Sequence, residues 1–269
     1  MNDGPIRVCM TGPTGWAGSE LAKAIGQQTD LQLVAGVTRT HAGKHLNQVL
    51  DDGAPATPLF GTTTEALEVP CDVFVEYAHA SVAKANVVAA LNAGVHVVIG
   101  SSGLSDDDLA DIDRLAQERG RGVLAVGNFA ITVVLLQRFA EMAAKVLPEW
   151  EIIDYASAAK VDAPSGTARE LASRLAQVRP PEPSNSVAGT VGPREVRGAT
   201  FGGAQVHAVR LPGYVIGVEA LFGMPEERLT IKQESGSSAK PYVDGALLSI
   251  RKVGGFTGLR RGLDKVLDI

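Results

Sequence analysis

Apolar positions in the first half of the chain fall in short runs separated by turn residues. Ile6–Thr11, Leu31–Thr38, Asp72–Tyr77, Val95–Gly100 and Gly122–Val126 are rich in Val, Ile, Leu, Phe and Cys, as expected for strands covered on both faces. The stretches between them predict helices. One follows the first strand and a glycine cluster and runs through Gln28, and a second spans the Ala/Val-rich Ser81–Ala93. A third starts at Ser105, where Ser-Asp-Asp-Asp supplies an N-cap and first-turn acids that suit the helix dipole. Strands alternating with helices of this length predict an α/β fold, a Rossmann-like doubly wound parallel sheet.

Past about Asn128 the rhythm changes. Ile131–Leu147 predicts an amphipathic helix, Glu149–Ser157 a strand, and Pro164-Ser165-Gly166-Thr167 the start of a helix running to about Val178. The proline-rich Arg179–Arg194 reads as an irregular loop. Ala204–Leu211, Val215–Phe222 and Arg228–Glu234 are strand-like runs that fit an antiparallel sheet. Lys240–Val253 predicts a helix whose apolar face packs back on the first domain. The expected organisation is one domain from residues 1–127 and 238–269, interrupted by an inserted one at 128–237.

Composition narrows the functional classes. A chain of 269 residues accommodates one large domain or two modest ones at roughly 150 residues each. Its 25 basic and 30 acidic residues leave a net charge of -5, which supplies no electrostatic footprint for nucleic acid or an anionic membrane. Cys9 and Cys71 are too few for a disulfide framework and read as reduced, buried thiols. No run reaches 18 apolar residues, and MNDGPIRVCM lacks a cationic start followed by an apolar core. A soluble, cytoplasmic protein is expected.

Gly12-Pro-Thr14-Gly15-Trp16-Ala17-Gly18 follows the first strand and opens the first helix. Glycines there let the chain turn sharply and let backbone N–H groups reach a pyrophosphate at the positive end of the helix. The same pattern also serves a tight structural turn. An acid about 20 residues beyond the last glycine would mark a site for the non-phosphorylated cofactor. Here Thr38 and Arg39 stand instead, a pair able to hold a 2′-phosphate, although an arginine in such a loop is often simply solvated. The expected cofactor is NADPH, with NADH also admissible.

Lys160-Val-Asp-Ala-Pro-Ser165-Gly166-Thr167-Ala is the second informative segment. Ser165 suits an N-cap, while Gly166 and Thr167 expose backbone donors and a hydroxyl at a helix start, a receptor for a carboxylate. Lys160 adds a second positive point or a proton. Taken alone, the same motif is also an ordinary helix cap. No Cys/His spacing suggests a metal site.

KVDAPSGTA at Lys160–Ala168 resembles the signature of the 4-hydroxy-tetrahydrodipicolinate reductase family, the pyridine-nucleotide enzymes of the diaminopimelate route to lysine. The resemblance continues through Gly12–Gly18, Gly94–Gly103 (GVHVVIGSSG), Gly127-Asn128-Phe129, Gln205–Gly213 (QVHAVRLPG) and Phe222-Gly223. It implies a Rossmann-like dinucleotide-binding domain and an inserted α+β domain on an open mixed sheet that binds substrate and assembles a homotetramer. It further implies that Gly12, Thr14, Gly15, Trp16 and Ala17 line the pyrophosphate, with Thr38 and Arg39 at the adenosine end. Gly100, Ser101, Ser102, Val126, Gly127, Asn128 and Phe129 would border the nicotinamide. Lys160 would be catalytic, and Ser165, Gly166 and Thr167 would hold a small carboxylated imine.

The chain departs from the family at the substrate end. Two adjacent histidines usually precede the lysine, and Ala156 and Ser157 occupy those positions. Another common histidine is replaced near Val218, and Glu76-Tyr77-Ala78 stands where Asp-Phe-Thr is usual. Lys160, with its pKa lowered in a closed pocket, is the first substitute proton donor, ahead of His79 and solvent; Tyr155 should point away from Ala156. His207 is expected to be structural or at a subunit contact. Two other readings stay open: a paralogous imine reductase or amine dehydrogenase for another imino acid, and a nucleotide-binding homologue without catalysis.

Overall fold

The computed structural model describes residues 4–50 and 53–267; the ends of the first expected domain, 1–3 and 268–269, lie outside them. The chain forms two units, one running to Ile131 and resuming at Ala239, the other spanning Thr132–Ser238. In the first unit, β1 (Ile6–Thr11) leads into α1 (Trp16–Gly26), then β2 (Leu31–Val37), β3 (Leu59–Phe60) and α2 (Thr63–Ala66). β4 (Val73–Glu76), α3 (Ala80–Asn92), β5 (His96–Ile99), α4 (Asp106–Arg119) and β6 (Gly122–Ala125) follow. The second unit holds α5 (Ile131–Ala144), β7 (Glu149–Ala156), α6 (Gly166–Val178), β8 (Ala199–Phe201), β9 (Ala204–Arg210), β10 (Ile216–Met224) and β11 (Glu227–Ser235). α7 (Val243–Lys252) and β12 (Gly258–Arg261) complete the first.

The first sheet has seven strands in the order β12-β6-β5-β4-β1-β2-β3, and every neighbouring pair is parallel. From central β1 the chain winds outward through β2 and β3, then restarts beside β1 with β4 and winds the other way. The switch point, where ligands of open α/β sheets bind, therefore lies between β1 and β4. Cys9, Ala35, Phe74, Ile99 and Val123 of the strands pack with Val87 and Leu91 of α3 and Ile112 of α4. Each large aliphatic side chain in that layer contributes about 1.5–3 kcal/mol by leaving water. α4 begins as its sequence predicts: Ser105 Oγ accepts from the Asp108 N–H, and the Asp108 carboxylate accepts from the Ser105 N–H. Gly120 closes the helix at φ 62°.

The second sheet runs β11-β10-β7-β9-β8. Of the three late strands, β10 and β11 pair antiparallel as expected, but β9 is not their neighbour, so they do not form one antiparallel sheet. β7 separates β9 from β10, pairing parallel with β9 and antiparallel with β10. The crossover through α6 makes β7 and β9 parallel, so the sheet is mixed. Leu136 and Ala140 of α5 and Leu171 and Leu175 of α6 pack on Trp150, Ile152, Val218 and Phe222. The opposite face carries half-buried polar pairs: Tyr155 donates to Glu219 at 2.8 Å, and Glu151 meets both Arg197 and His207.

β3, α2, β8 and β12 escape a reading by periodicity because none exceeds four residues. β12, Gly-Leu-Arg-Arg, becomes a strand by pairing with β6 at the sheet edge. No described helix is long and apolar enough to cross a membrane.

Candidate functional site

In the first unit the glycine turn sits at the switch point. Gly12 has φ +64°, and a Cβ there would stand 2.9 Å from the Tyr77 carbonyl oxygen. A Cβ on Gly18 would stand 2.0 Å from the Gly12 oxygen, so helix and turn close together only with glycine at both positions. Gly15 caps α1 without a side chain, leaving the first-turn N–H groups of Trp16 and Ala17 without a side-chain acceptor. This backbone cradle, with no side chain to fill it, fits a dinucleotide pyrophosphate. Thr14 is half-buried in the turn, and Trp16 is exposed, its ring edge-on to Tyr242 at 5.9 Å.

Beside the turn lies a cavity of about 630 Å³, bordered by Gly12, Thr38, Arg39, Thr62, His79 and Asn86. It brings the predicted adenosine-end residues together: Thr38 is buried and Arg39 is exposed at the rim. His79, weighed as a proton donor, is the N-cap of α3 and accepts the Ser81 N–H on Nδ1 at 3.3 Å.

Gly100, Ser101 and Ser102 follow β5, and Val126, Gly127, Asn128 and Phe129 follow β6, both at the C-terminal edge of the sheet. The Tyr77 ring stands edge-to-face with Phe129 at 5.7 Å, and a Cβ on Gly100 would fall 1.8 Å from a Tyr77 ring carbon and 2.8 Å from the Phe129 ring. Burial pushes the Tyr77 phenol pKa up, so it stays protonated. Asn128 caps its own loop by accepting the Ala130 N–H. Ser101 shares its hydroxyl between the main-chain oxygen and the carboxylate of Glu76.

In the second unit Ser165 is the N-cap of α6. Its hydroxyl accepts from the Ala168 N–H at 3.3 Å and donates to the Asp154 carboxylate at 2.7 Å. Gly166 and Thr167 form the first helical positions, where N–H groups face outward for an anion. Arg210 Nη2 reaches both Asp154 Oδ2 and the Asp162 carbonyl, each at 2.7 Å. Lys160 pairs with the Asp162 carboxylate at 2.8 Å, and this ammonium holds the Asp162 pKa below the usual carboxylate range. The Lys160 side chain is 30% exposed.

The position of the missing imidazole, Ala156, is fully buried between Arg210 of β9 and Ile216 of β10. Tyr155 points to the other face, as strand alternation predicts. Burial first, then the Glu219 carboxylate, pushes its phenol up to about 12. His207 is bonded to Glu151 at 2.7 Å. Among the described residues no group of three or more His, Cys, Asp or Glu could hold a metal ion.

The sequence gives no local sign of the roles of Asn86, Asp154 and Arg210, and it marks Glu76 only as a departure from the family pattern. For Asp154 strand phase signals burial alone: with period two it falls in phase with Trp150 and Ile152, and an acid on a core face requires a partner.

A glycine cradle at the switch point of a parallel sheet, with a mixed-sheet second unit carrying a cationic helix mouth, defines a dinucleotide-dependent oxidoreductase. Residues 6–129 and 132–267 match the N-terminal and C-terminal parts of dihydrodipicolinate reductase. The 4-hydroxy-tetrahydrodipicolinate reductase of Halalkalibacterium halodurans is 35% identical over 98% of this chain and all of its own length. That of Bacillus pumilus is 34% identical over the full length of both. The dipicolinate-bound dihydrodipicolinate reductase of a Paenisporosarcina species superposes with a TM-score of 0.88 at 30% identity, covering 98% of this chain and all of the other. An amine dehydrogenase from Mycobacterium smegmatis shares the fold, with a TM-score of 0.67 at 14% identity over 98% of this chain and 97% of its own. The chain belongs to the dihydrodipicolinate reductase family.

Proposed function

We propose that this protein is an NADPH-dependent reductase of a small carboxylated cyclic imine, with the 4-hydroxy-tetrahydrodipicolinate reductase reaction of lysine biosynthesis as its leading activity. The observation that carries this reading is the anchored Lys160–Thr167 segment, in which Asp154 and Arg210 brace both a helix mouth and a lysine. The Gly166 and Thr167 N–H groups and the Thr167 hydroxyl receive one substrate carboxylate, and Lys160 attracts a second. Bound NADPH supplies hydride. Gly12, Thr14, Gly15, Trp16 and Ala17 cradle its pyrophosphate, and Arg39 with Thr38 holds the 2′-phosphate, which favours NADPH over NADH. Gly100–Ser102 and Val126–Phe129 border the nicotinamide ring. Lys160, hydrated and paired with Asp162, delivers a proton and recovers it from solvent. The second unit assembles a homotetramer through its open sheet face, and the enzyme works in the cytoplasm.

Ala156 and Ser157 favour one other reading, a paralogous reductase or amine dehydrogenase for a different imino acid, because neither residue replaces the general acid of the family. One assay separates them. NADPH absorbance is followed with the aspartate-semialdehyde/pyruvate condensation product, then with a panel of imino acids. Turnover of the first is expected. Turnover confined to the panel assigns the paralogue, and nucleotide binding without any turnover leaves a non-catalytic homologue.

A further inference from the structure

Glu76 ends β4 with 0% exposure, at the edge of the sheet where the nucleotide residues gather. Its strand neighbours Val73, Phe74 and Val75 offer an acid no side-chain partner. Instead its carboxylate is enclosed by donors. Oε1 accepts the Ala78 N–H at 2.7 Å and the Ser101 hydroxyl at 3.2 Å, and Oε2 accepts the Asn86 side-chain amide at 2.9 Å. The Glu76 main-chain oxygen also accepts the N–H groups of Gly100 and Ser101. One residue therefore ties together the loop after β4, helix α3 and the loop after β5. Asn86 is oriented in turn by Thr63, whose hydroxyl donates to its carbonyl oxygen at 2.7 Å. Thr63 and Asn86 both border the cavity that holds Arg39. A polar chain Thr63–Asn86–Glu76–Ser101 thus runs from that cavity to the Gly100–Ser102 segment.

No Lys, Arg or His among the described residues pairs with this carboxylate. Burial raises its pKa, and the hydrogen bonds from Ala78, Asn86 and Ser101 pull it back. Enclosing a carboxylate without a counter-ion costs free energy. A local cost at the ligand-binding edge of an otherwise consistent fold marks a position kept for function.

We infer that Glu76 is a positioning residue for the coenzyme, acting through Ser101 and Asn86 to hold the loops after β4 and β5 in the shape that receives the nucleotide. The inference rests on the nucleotide site proposed above. As the side chains stand, the Ala78 N–H, the Ser101 hydroxyl and the Asn86 amide share the two carboxylate oxygens, and an amide at position 76 keeps all three bonded only if the Asn86–Thr63 pair reverses. Glu76→Gln keeps the volume and puts an amide where one oxygen stood, so it loosens the loops while removing a desolvated charge.

The test uses the full chain, with NADPH titrated by fluorescence, dipicolinate by calorimetry, and thermal unfolding run in parallel. For Glu76→Gln, NADPH affinity is expected to fall about tenfold, the effect of one lost bond to a charged group. Melting temperature and dipicolinate affinity should hold. Ser101→Ala should show the same selective loss, and the double variant should be no worse than either single one. NADPH binding unchanged in Glu76→Gln overturns the inference, as does a uniform loss of melting temperature and both affinities. If Glu76→Gln does not fold, wild-type NADPH affinity in Ser101→Ala overturns it equally. A wild-type chain that binds neither NADPH nor NADH overturns the nucleotide site itself, and the inference with it.

Discussion

Asp154 and Ser165, eleven residues apart, are joined by two hydrogen bonds: the Ser165 N–H and hydroxyl each donate to a different Asp154 carboxylate oxygen at 2.7 Å. The aspartate is fully buried and also receives Arg210, whose side chain is 16% exposed. One carboxylate thereby fixes the start of α6 directly and, through Arg210 and the Asp162 carbonyl, the segment that carries Lys160.

Asp154→Asn should be among the most damaging single changes in the second unit. It leaves the Arg210 guanidinium buried without its anion and turns a donor toward Ser165. Loss of one partner from a buried pair costs roughly 3–5 kcal/mol. Thermal and denaturant unfolding should show a large drop in stability, and calorimetry should show weakened dipicolinate binding. Stability within about 0.5 kcal/mol of wild type would refute the bracing role.

Lys160→Ala removes a charge at the surface of the site and nothing from the core. Its kcat/KM for the imine should fall on the order of 10–100-fold, the range for a lost charged contact. NADPH affinity and melting temperature should be unchanged. Equal loss of nucleotide and substrate affinity would take Lys160 out of the substrate site.

Arg39→Ala tests the 2′-phosphate assignment. KM for NADPH should rise on the order of tenfold while KM for NADH stays near its wild-type value. An unchanged NADPH/NADH ratio excludes the assignment.

Asp72, joined to Arg7 through Nε and Nη2, gives a pH signature in stability. The Arg7 guanidinium holds the Asp72 pKa below the usual carboxylate range. A lowered folded-state pKa means that the stabilisation is fully present above the ordinary aspartate pKa of about 3.9 and is lost as pH falls through the folded value. The pair is over a third exposed, so solvent screening keeps its contribution small. Asp72→Asn should unfold earlier than wild type in urea at pH 7, and the gap should close in strong acid. A gap independent of pH would refute the ionic origin.

Much of the first unit was legible because its signals are local. Continuous apolar runs such as Ile6–Thr11, the Ser105 cap and the glycine spacing each reside in a few consecutive residues, and a parallel sheet satisfies all of them together. The candidate receptor at Ser165–Thr167 was legible for the same reason, since a helix N-terminus is written in its own first turn.

Strand neighbours and buried polar partners are relations between distant segments, and no local pattern encodes them. That β7 separates β9 from β10 follows from the α6 crossover and from which sheet face α5 and α6 cover. Glu76 ends a strand in the sequence and becomes an enclosed acceptor only when α3 and the loop after β5 arrive with Asn86 and Ser101. Lys160 finds an ion-pair partner in Asp162, two residues away, at 2.8 Å. Residue type and spacing chose the architecture and the chemistry on offer; packing decided which polar groups lost their water, and so which of them must hold one another in place.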